Sequence, residues 1–414
     1  MAGTVPGLLA GHAPPTRLPG GTSAAFAFAR RPTCLRTRPT TSQAPSRQPA
    51  PRSGSGRPDG SPTSAHGLSR ASQPVPFRSP SKPRPLRWRV AFTLASRGRP
   101  VSAHFADRLL AAIRAKGAPV CVGLDPVYQR LPADLTARAG LDDARDLESV
   151  LDAVREFCRA VIRIVAPIVP AVKINSAFFE RYYTDGVEAY FDLVREASAA
   201  KLIVIGDVKR ADIGHSSGLY ARGHLSDPDF AALDGLVAPD AITVNPYFGL
   251  DGIKPFLEVA REQSKGLFAL VQTSNPSAIE VQGLTLADGT TVGERVAALV
   301  NTWAGGDGLL GDSGYSLLGA VVSPRDETST RKLRAAMPNC MFLVPGFGAQ
   351  GKTAEQIRNC FKPDGTGALV NASRSVLYAY EDTKYTQMYA SQWERCVEHA
   401  CRDFVAAVAS IVPD

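Results

Sequence analysis

The sequence predicts an α/β protein with a (β/α)8 TIM barrel, preceded by a disordered basic N-terminal targeting segment. Three observations support this prediction. Eight short apolar runs recur from residue 120 onward, they tend to end at a polar residue or glycine, and helix-length segments separate them. Near-continuous apolar strands that alternate with helices indicate a parallel sheet covered on both faces. Eight such units in about 300 residues fit a barrel that closes on itself.

The eight predicted strands are rich in β-branched residues, and none shows the strict polar alternation of a half-exposed strand. In chain order they are Val120–Asp125, Ala171–Asn175, Leu202–Lys209, Ala241–Asn245, Leu267–Thr273, Leu318–Ser323, Met341–Gly346 and Ala368–Asn371. A doubly wound open sheet is the main alternative to the barrel.

Apolar residues at helical spacing predict helices between the strands, over Leu147–Ile164, Phe178–Ala200, Asp251–Gln263 and Thr353–Phe361. A longer insertion, Asn275–Tyr315, is rich in Gly and Asp and separates the fifth strand from the sixth. The pattern leaves open whether this insertion is a lid or a surface loop.

Residues 1–100 differ in composition from the rest of the 414-residue chain. They hold 16 Lys and Arg residues against a single acid, Asp59, whereas residues 101–414 hold 31 basic and 38 acidic residues. A segment rich in Arg, Ser and Pro and almost free of acids cannot bury enough apolar surface to fold, and its composition is typical of an organelle transit peptide. We expect residues 1–100 to direct the protein to a plastid (the chloroplast stroma) more than to a mitochondrion, because no N-terminal amphipathic helix is evident. A basic tail that binds anionic partners is the alternative.

The composition of residues 101–414 argues against several classes of protein. Their net charge of −7 is unfavourable for a nucleic-acid-binding surface. No uncharged apolar run reaches the roughly 18 residues that a membrane span needs. The seven cysteines of the chain form no Cys-x-x-Cys pair, and such a scattered set favours reduced thiols. We therefore expect a soluble barrel domain over residues 101–414 that binds neither nucleic acid nor membranes.

A charged ladder of Asp207, Lys209 and Asp212 follows the third predicted strand. Side chains alternate across a strand, so Asp207 and Lys209 share one face, and Asp212 lies a few residues into the loop. The active site of a TIM barrel lies at the carboxyl ends of its strands, where Lys173 of the neighbouring strand can join the ladder. Such a row of two ammonium groups and two carboxylates can direct charge at a substrate, although a purely stabilising ion network is the alternative. Further polar residues at these strand ends are Asp125, Asn175, Asn245, Thr273, Ser274, Ser323 and Arg374.

The segment after the seventh predicted strand indicates a phosphate site. Gly346–Thr353 matches the pattern G-x-x-x-x-G-K-T of a P-loop, which would predict binding of ATP or GTP. However, glycine-rich backbone N–H groups at a helix N-terminus bind any phosphate, and barrels commonly build such a site from the loops after strands seven and eight. These loops supply Gly348, Gln350 and Arg374, so the expected substrate is a phosphate monoester of modest size.

Six motifs in this order resemble the orotidine 5'-phosphate decarboxylase family, in its longer bacterial-type subfamily. The resemblance covers about Phe105 to Val412, and residues 1–100 have no counterpart in the family. The motifs are Val122–Pro126, Val172–Asn175, Asp207-x-Lys209-x-x-Asp212, Gln272–Pro276, Val344–Gln350 and Asn371–Arg374.

The resemblance implies decarboxylation of orotidine 5'-phosphate to UMP, the last step of de novo pyrimidine nucleotide synthesis, without a metal or an organic cofactor. It implies that Lys209 protonates C6 of the pyrimidine and that Asp207 faces the departing carboxylate. It also implies that Lys173 orients this carboxylate and contacts the ribose. Asp212 would reach into the partner's site of a homodimer. The remaining implied contacts are Asp125 to the ribose, Ser274 to the pyrimidine amide edge, Pro345 to the base, and Gly348, Gln350 and Arg374 to the 5'-phosphate.

Two enzymatic alternatives remain open at the level of sequence. Related phosphosugar barrels use a similar Asp-x-Lys-x-x-Asp ladder to hold magnesium, which would make this protein a metal-dependent decarboxylase or aldolase. A nucleotide-binding P-loop protein is the second. Activity that survives EDTA would argue against the first, and a mild effect of Lys352→Ala would argue against the second.

Overall fold

A computed structural model describes residues 103–137, 146–228, 230, 233–348 and 354–412. The predicted targeting segment, residues 1–100, lies outside this part of the chain and stays a prediction. Residues 349–353, which include Gln350 and Lys352, also lie outside it.

Eight parallel strands form a closed barrel in the order β1 to β8, with β8 paired to β1. The barrel confirms the predicted fold, and the open doubly wound sheet is therefore wrong. The strands are β1 Val120–Leu124, β2 Ala171–Asn175, β3 Ile203–Arg210, β4 Ala241–Val244, β5 Gly266–Gln272, β6 Leu318–Val322, β7 Phe342–Val344 and β8 Ala368–Ala372.

Helices cover the outside of the barrel. Those in the described residues are α1 Phe105–Lys116, α2 Ala133–Ala137, α3 Leu147–Val165, α4 Ala177–Glu180, α5 Tyr183–Ala199, α6 Gly214–Leu225, α7 Leu250–Glu262, α8 Ile279–Gln282, α9 Val292–Ala304, α10 Glu327–Ala336, α11 Ala354–Arg358, α12 Arg374–Leu377, α13 Thr383–Tyr389 and α14 Trp393–Ala409. Short 3-10 turns lie at Tyr128–Arg130, Pro246–Phe248, Pro276–Ala278 and Ala379–Glu381.

The strands are apolar on both faces because each face is buried. Outward residues such as Val204 pack under the helices, whereas inward residues such as Ile205 and Phe268 fill the lower barrel. Helix α1 closes this lower end, where the ring of Phe105 meets that of Phe268 edge-on at 6.1 Å. A Cβ at Gly266 would lie 2.2 Å from the Phe105 ring, so glycine is needed at the start of β5. The inward positions above this floor are left for polar side chains.

The insertion at residues 275–315 is built around α9, the helix that connects β5 with β6. A capping box of Thr291 and Glu294 begins this helix. On one side of α9, the side chain of Gln282 accepts the backbone N–H of Thr273. On the other side, Asp107 of α1 accepts the N–H groups of Asp312 and Ser313. The insertion is therefore a crossover helix whose two flanking loops are both tied to the barrel.

Among the helices of the described residues, none is both long and apolar enough to span a membrane. The six described cysteines are buried and free, and burial raises the pKa of the Cys121 thiol to about 12. These thiols are thus protonated, unreactive parts of the core at neutral pH.

Candidate active site

A cavity of about 250 Å³ opens at the carboxyl ends of the strands. It brings together Asp207 and Lys209 of the charged ladder, Lys173 of the neighbouring strand, and predicted site residues that follow β1, β5, β7 and β8. Apolar side chains of Leu270, Val321 and Leu343 form its floor. The predicted site residues that line it are Asp125, Lys173, Asp207, Lys209, Ser274, Pro345 and Arg374.

Asp207 lies between two lysines. The register of β2 and β3, with Asn175 opposite Asp207, points Lys173 and Asp207 into the barrel on neighbouring strands. Nζ of Lys173 donates to Oδ2 of Asp207 at 2.8 Å, and Nζ of Lys209 donates to Oδ1 at 2.5 Å. The side chains of Lys173 and Asp207 are buried, whereas that of Lys209 is 49% exposed. The carboxylate is thus fixed from both sides, and one of its two cations faces the open cavity.

The electrostatics of this row keep its buried members charged. Burial alone would raise the pKa of Asp207, but the ammonium groups of Lys173 and Lys209 hold it well below its usual range. Burial would likewise lower the pKa of Lys173, yet Asp125 and Asp207 raise it above its ordinary value. Asp207 and Lys173 are therefore fixed, ionised groups near neutral pH, which is the arrangement that stabilises charge developing on a substrate.

Asp125 supplies the second carboxylate of the row. Its Oδ1 lies 3.7 Å from Nζ of Lys173. This buried oxygen has no hydrogen-bond partner among the described residues, so it is available to a ligand hydroxyl. The Tyr378 hydroxyl donates to the backbone carbonyl of Asp125 and accepts the N–H of Val127, both at 2.8 Å, and so holds this loop in place.

Asp212 does not belong to the row within its own chain, which corrects the expectation of an alternating ladder of Lys173, Asp207, Lys209 and Asp212. The two carboxylates of the row are Asp125 and Asp207. The chain leaves β3 after Arg210, and the Asp212 side chain instead accepts the N–H of Ile213 at 2.8 Å. Within one chain, Asp212 is therefore outside the set of contacts that fix Lys209.

The phosphate end of the site is only partly within the described residues. Pro345 and Gly346 after β7 and Arg374 at the start of α12 line the cavity. Gly346 and Gly348 have φ values of +95° and +73°, which favour glycine and let the backbone turn towards a ligand. Gly348 itself does not line the cavity and lies against Ser375. Gln350 lies outside the described residues.

Two buried polar residues of the cavity received no role in the sequence-based prediction. Thr243 of β4 is 1% exposed, and its hydroxyl contacts both Asp207 and Lys209. Asn371 of β8 is 5% exposed, and its Oδ1 lacks a hydrogen-bond partner among the described residues. Both residues could have been found from the sequence, because each is a polar residue at an inward position of an otherwise apolar strand. Asn245, in contrast, caps the turn at Pro246–Phe248.

The described residues contain no group of three or more His, Cys, Asp or Glu side chains placed to hold a metal ion. In the cavity, the places beside Asp125 and Asp207 are taken by lysine ammonium groups. A divalent cation would have to displace them. Lysine ammonium groups thus provide the positive charge beside these carboxylates.

Comparisons with known proteins agree with this geometry. A sequence model of the "Orotidine 5'-phosphate decarboxylase / HUMPS family" matches residues 118–389. The chain is 39% identical over 299 residues to orotidine 5'-phosphate decarboxylase of Rhodopirellula baltica, covering 72% of this chain and 96% of that protein. It is 36% identical over 291 residues to the enzyme of Caldicellulosiruptor saccharolyticus, covering 70% and 94%.

A solved structure of OMP decarboxylase from Leishmania donovani matches with a TM-score of 0.54 at 26% identity, covering 74% of this chain and 98% of that one. The match of the family model, the identity to curated relatives and the barrel agree with one another. The chain belongs to the orotidine 5'-phosphate decarboxylase / HUMPS family.

Proposed function

We propose that this protein decarboxylates orotidine 5'-phosphate to UMP, the last step of de novo pyrimidine nucleotide synthesis. The observation that carries the proposal is the row in which Asp207 lies between Lys173 and Lys209 inside the cavity. Family membership and the names of the bacterial relatives agree with this carboxy-lyase activity. No metal or organic cofactor enters the proposed reaction.

The row suits a decarboxylation that leaves its electron pair on an sp² carbon. The bond between C6 and the carboxylate breaks, carbon dioxide leaves, and the electron pair on C6 takes a proton from Nζ of Lys209. The fixed negative charge of Asp207 disfavours the substrate carboxylate beside it, and this repulsion disappears as carbon dioxide departs. Because Lys209 is half exposed, solvent can restore its proton afterwards. The preorganised positive charge stabilises the carbanion before the proton moves.

The other predicted residues hold the substrate in register with this row. Asp125 and Lys173 bind the ribose, Ser274 reads the amide edge of the pyrimidine, and Pro345 packs near the base. At the far end, the Gly348 segment, Gln350 and the guanidinium of Arg374 bind the 5'-phosphate. Binding energy from the phosphate can then be used to position C6 against Lys209.

The activity is tested by following the conversion of orotidine 5'-phosphate to UMP with and without EDTA. We expect equal rates in both samples, because no step needs a metal. Loss of activity in EDTA, together with metal-dependent turnover of a keto-sugar phosphate, would favour the phosphosugar enzymes of the same barrel type.

The protein acts as a homodimer in this proposal, and Asp212 completes the site of the partner subunit. Among the described residues, no hydrogen bond or ion pair joins Asp212 to Lys209, and the Asp212 side chain accepts the N–H of Ile213. Exposed apolar residues lie in the same loop and at the start of α7, including Ile213, Phe248 and Leu250. A Cβ at Gly252, in the first turn of α7, would lie 3.1 Å from the carbonyl oxygen of Asp212, so the loop after β3 packs against the start of α7. Contiguous exposed apolar residues are typical of an interface between subunits.

Mixing two inactive variants tests the shared site. Lys209→Ala and Asp212→Asn subunits, unfolded and refolded together, form heterodimers in which one of the two sites has both native residues. We expect the mixture to recover about a quarter of the wild-type activity, because half of the dimers are mixed and each has one intact site. No recovery, with a dimeric mass, would show that both residues act within one chain.

Residues 1–100 form a transit peptide for the plastid stroma in this proposal. Their 16 basic residues and single acid support it. The test is to fuse residues 1–100 to a fluorescent protein in plastid-containing cells. Fluorescence in plastids is expected, whereas fluorescence in mitochondria or throughout the cytosol would contradict the assignment.

A further inference from the structure

Thr243 lies in the middle of β4 with its side chain directed into the barrel. Its Oγ1 accepts the backbone N–H of Lys209 at 2.9 Å and donates to Oδ1 of Asp207 at 2.9 Å. A hydroxyl has one proton to donate, so this proton goes to the carboxylate, while an oxygen lone pair receives the amide. The residue is 1% exposed, and both bonds are therefore protected from water.

An irregularity in the sheet explains why the N–H of Lys209 bonds to a side chain. Gly206 of β3 pairs with Ile242 of β4, and Arg210 pairs with Val244. Residues 207–209 of β3 therefore face the single residue Thr243, which is a bulge in the ladder. Within this bulge Lys209 has φ +45°, a left-handed conformation that lysine rarely adopts. Such a conformation persists only where surrounding contacts hold it.

The same threonine also fixes the group that Lys209 contacts. Oδ1 of Asp207 accepts the Thr243 hydroxyl at 2.9 Å and the Lys209 ammonium at 2.5 Å. Thr243 thus holds both the backbone of Lys209 and the carboxylate that the Lys209 ammonium group contacts. With the proposed role of Lys209 as proton donor, on which this inference rests, we infer that Thr243 is a positioning residue that aims the ammonium at C6.

Two substitutions distinguish the effect of the Thr243 hydroxyl from the effect of the shape of its side chain. Thr243→Val keeps the shape and removes both hydrogen bonds, whereas Thr243→Ser keeps the hydroxyl. A displacement of about 1 Å in a catalytic group can cost about 100-fold in rate, so we expect Thr243→Val to lower kcat about 100-fold. KM should change less than about threefold, because substrate contacts at Arg374 and Ser274 are untouched. Thr243→Ser should keep most of the activity.

Thr330 provides a matched control. It is a fully buried threonine on α10, outside the barrel, and its hydroxyl donates to the carbonyl of Asp326 at 2.6 Å. Thr330→Val should lower the melting temperature without changing kcat. If Thr243→Val fails to fold, the kcat values of Thr243→Ser and Thr243→Ala can be compared instead, because these two variants also differ in the presence of the hydroxyl.

The inference is overturned by a Thr243→Val enzyme with nearly wild-type kcat, by a Thr243→Ser enzyme as impaired as Thr243→Val, or by an effect on KM alone. A wild-type protein without activity on orotidine 5'-phosphate would overturn the proposed function itself. An active wild type with a fully active Thr243→Val variant would overturn only the positioning role.

Discussion

Asp207 combines three donors on one buried carboxylate: two lysine ammonium groups and the hydroxyl of Thr243. Because the two lysines hold its pKa far below the usual range, Asp207 stays ionised throughout the mildly acidic and neutral range. Its depressed pKa also means that its contribution to stability is present above the pKa of the unfolded chain and is lost only in strong acid. We therefore expect the carboxylate of Asp207 to keep its charge at every mildly acidic or neutral pH at which the fold persists.

Arg374 and Lys352 distinguish the barrel phosphate site from a P-loop. We expect Arg374→Ala to raise KM for orotidine 5'-phosphate at least about 30-fold, because it removes a charge-assisted contact of about 2 kcal/mol or more to the phosphate. Lys352→Ala should change KM by less than about threefold. Steady-state kinetics of the two variants provide the measurement, and the opposite ranking would support nucleotide binding through the P-loop pattern.

A site residue could be predicted from the sequence where its position along a strand, or on the next strand in the chain, was enough to bring it into the site. Asp207 and Lys209 follow from alternation along β3, and Lys173 follows from its place on the neighbouring strand. Thr243 could not be predicted in this way, because its role depends on a bulge that exists only in the pairing of two strands. The position of Asp212 outside the row of its own chain could not be predicted from spacing either, because residue spacing does not show the direction of the chain after β3.

At the scale of elements, the loop that carries Asp212 is held between α4 and α6. The guanidinium of Arg210, at the end of β3, forms an ion pair with Glu180 of α4 and donates to Nε2 of His224 in α6. Burial, and then repulsion from Arg210, lower the pKa of His224 from 6.5 to about 4. His224 therefore acts as a neutral acceptor in the folded protein.

This histidine predicts a specific pH dependence of stability. Between pH 6.5 and about 4 the unfolded chain binds a proton at His224 that the folded protein does not, so stability falls as pH falls through this window. From pH 7 to pH 5 we expect His224 to account for about 1–2 kcal/mol of lost unfolding free energy. Urea titrations of the wild type and His224→Gln at both pH values measure this loss of unfolding free energy.

His215→Gln is the matched control for this titration, because His215 is exposed on the same helix. It should leave the pH dependence unchanged. An equal loss of stability in the wild type and His224→Gln between pH 7 and pH 5 would contradict the neutral, buried role of His224.

Most element boundaries were predictable because buried parallel strands leave long apolar runs, and the eight strands end within about two residues of their predicted ends. The insertion at residues 275–315 was harder to interpret. Its Gly and Asp residues resemble a loop, and helix α9 inside it is stabilised by contacts with β5 and β6 as well as by its own capping box. Tertiary packing of this kind leaves little signal in composition.

In the whole molecule, α1 is the first helix of the described residues, and it closes the lower end of the barrel. Phe105 is 1% exposed and lies against Phe268 at the lower end of the barrel, while Leu109 fills the same cluster. Removal of residues 1–100 should leave this helix intact, whereas removal of residues 1–110 should open the barrel floor, because it deletes Phe105 and Leu109. The natural cleavage site of the proposed transit peptide is therefore expected to precede Phe105.

We expect the protein without residues 1–100 to be fully active and the protein without residues 1–110 to be insoluble or strongly destabilised. Phe105→Ala should cost about 3–5 kcal/mol of unfolding free energy, as is typical of a buried phenylalanine. Phe230→Ala is the control, because Phe230 is 72% exposed. Equal denaturation midpoints for these two variants would show that α1 is not needed to close the barrel.

In the proposed mechanism, Lys209, aimed by Asp207 and Thr243, protonates C6 of orotidine 5'-phosphate as carbon dioxide leaves. The most direct measurement is the single-turnover decarboxylation rate of the wild type and of Lys209→Ala under saturating enzyme. We predict a loss of at least about 1,000-fold in Lys209→Ala, since both the preorganised charge and the proton donor are removed. A Lys209→Ala protein that decarboxylates at close to the wild-type rate would contradict this mechanism.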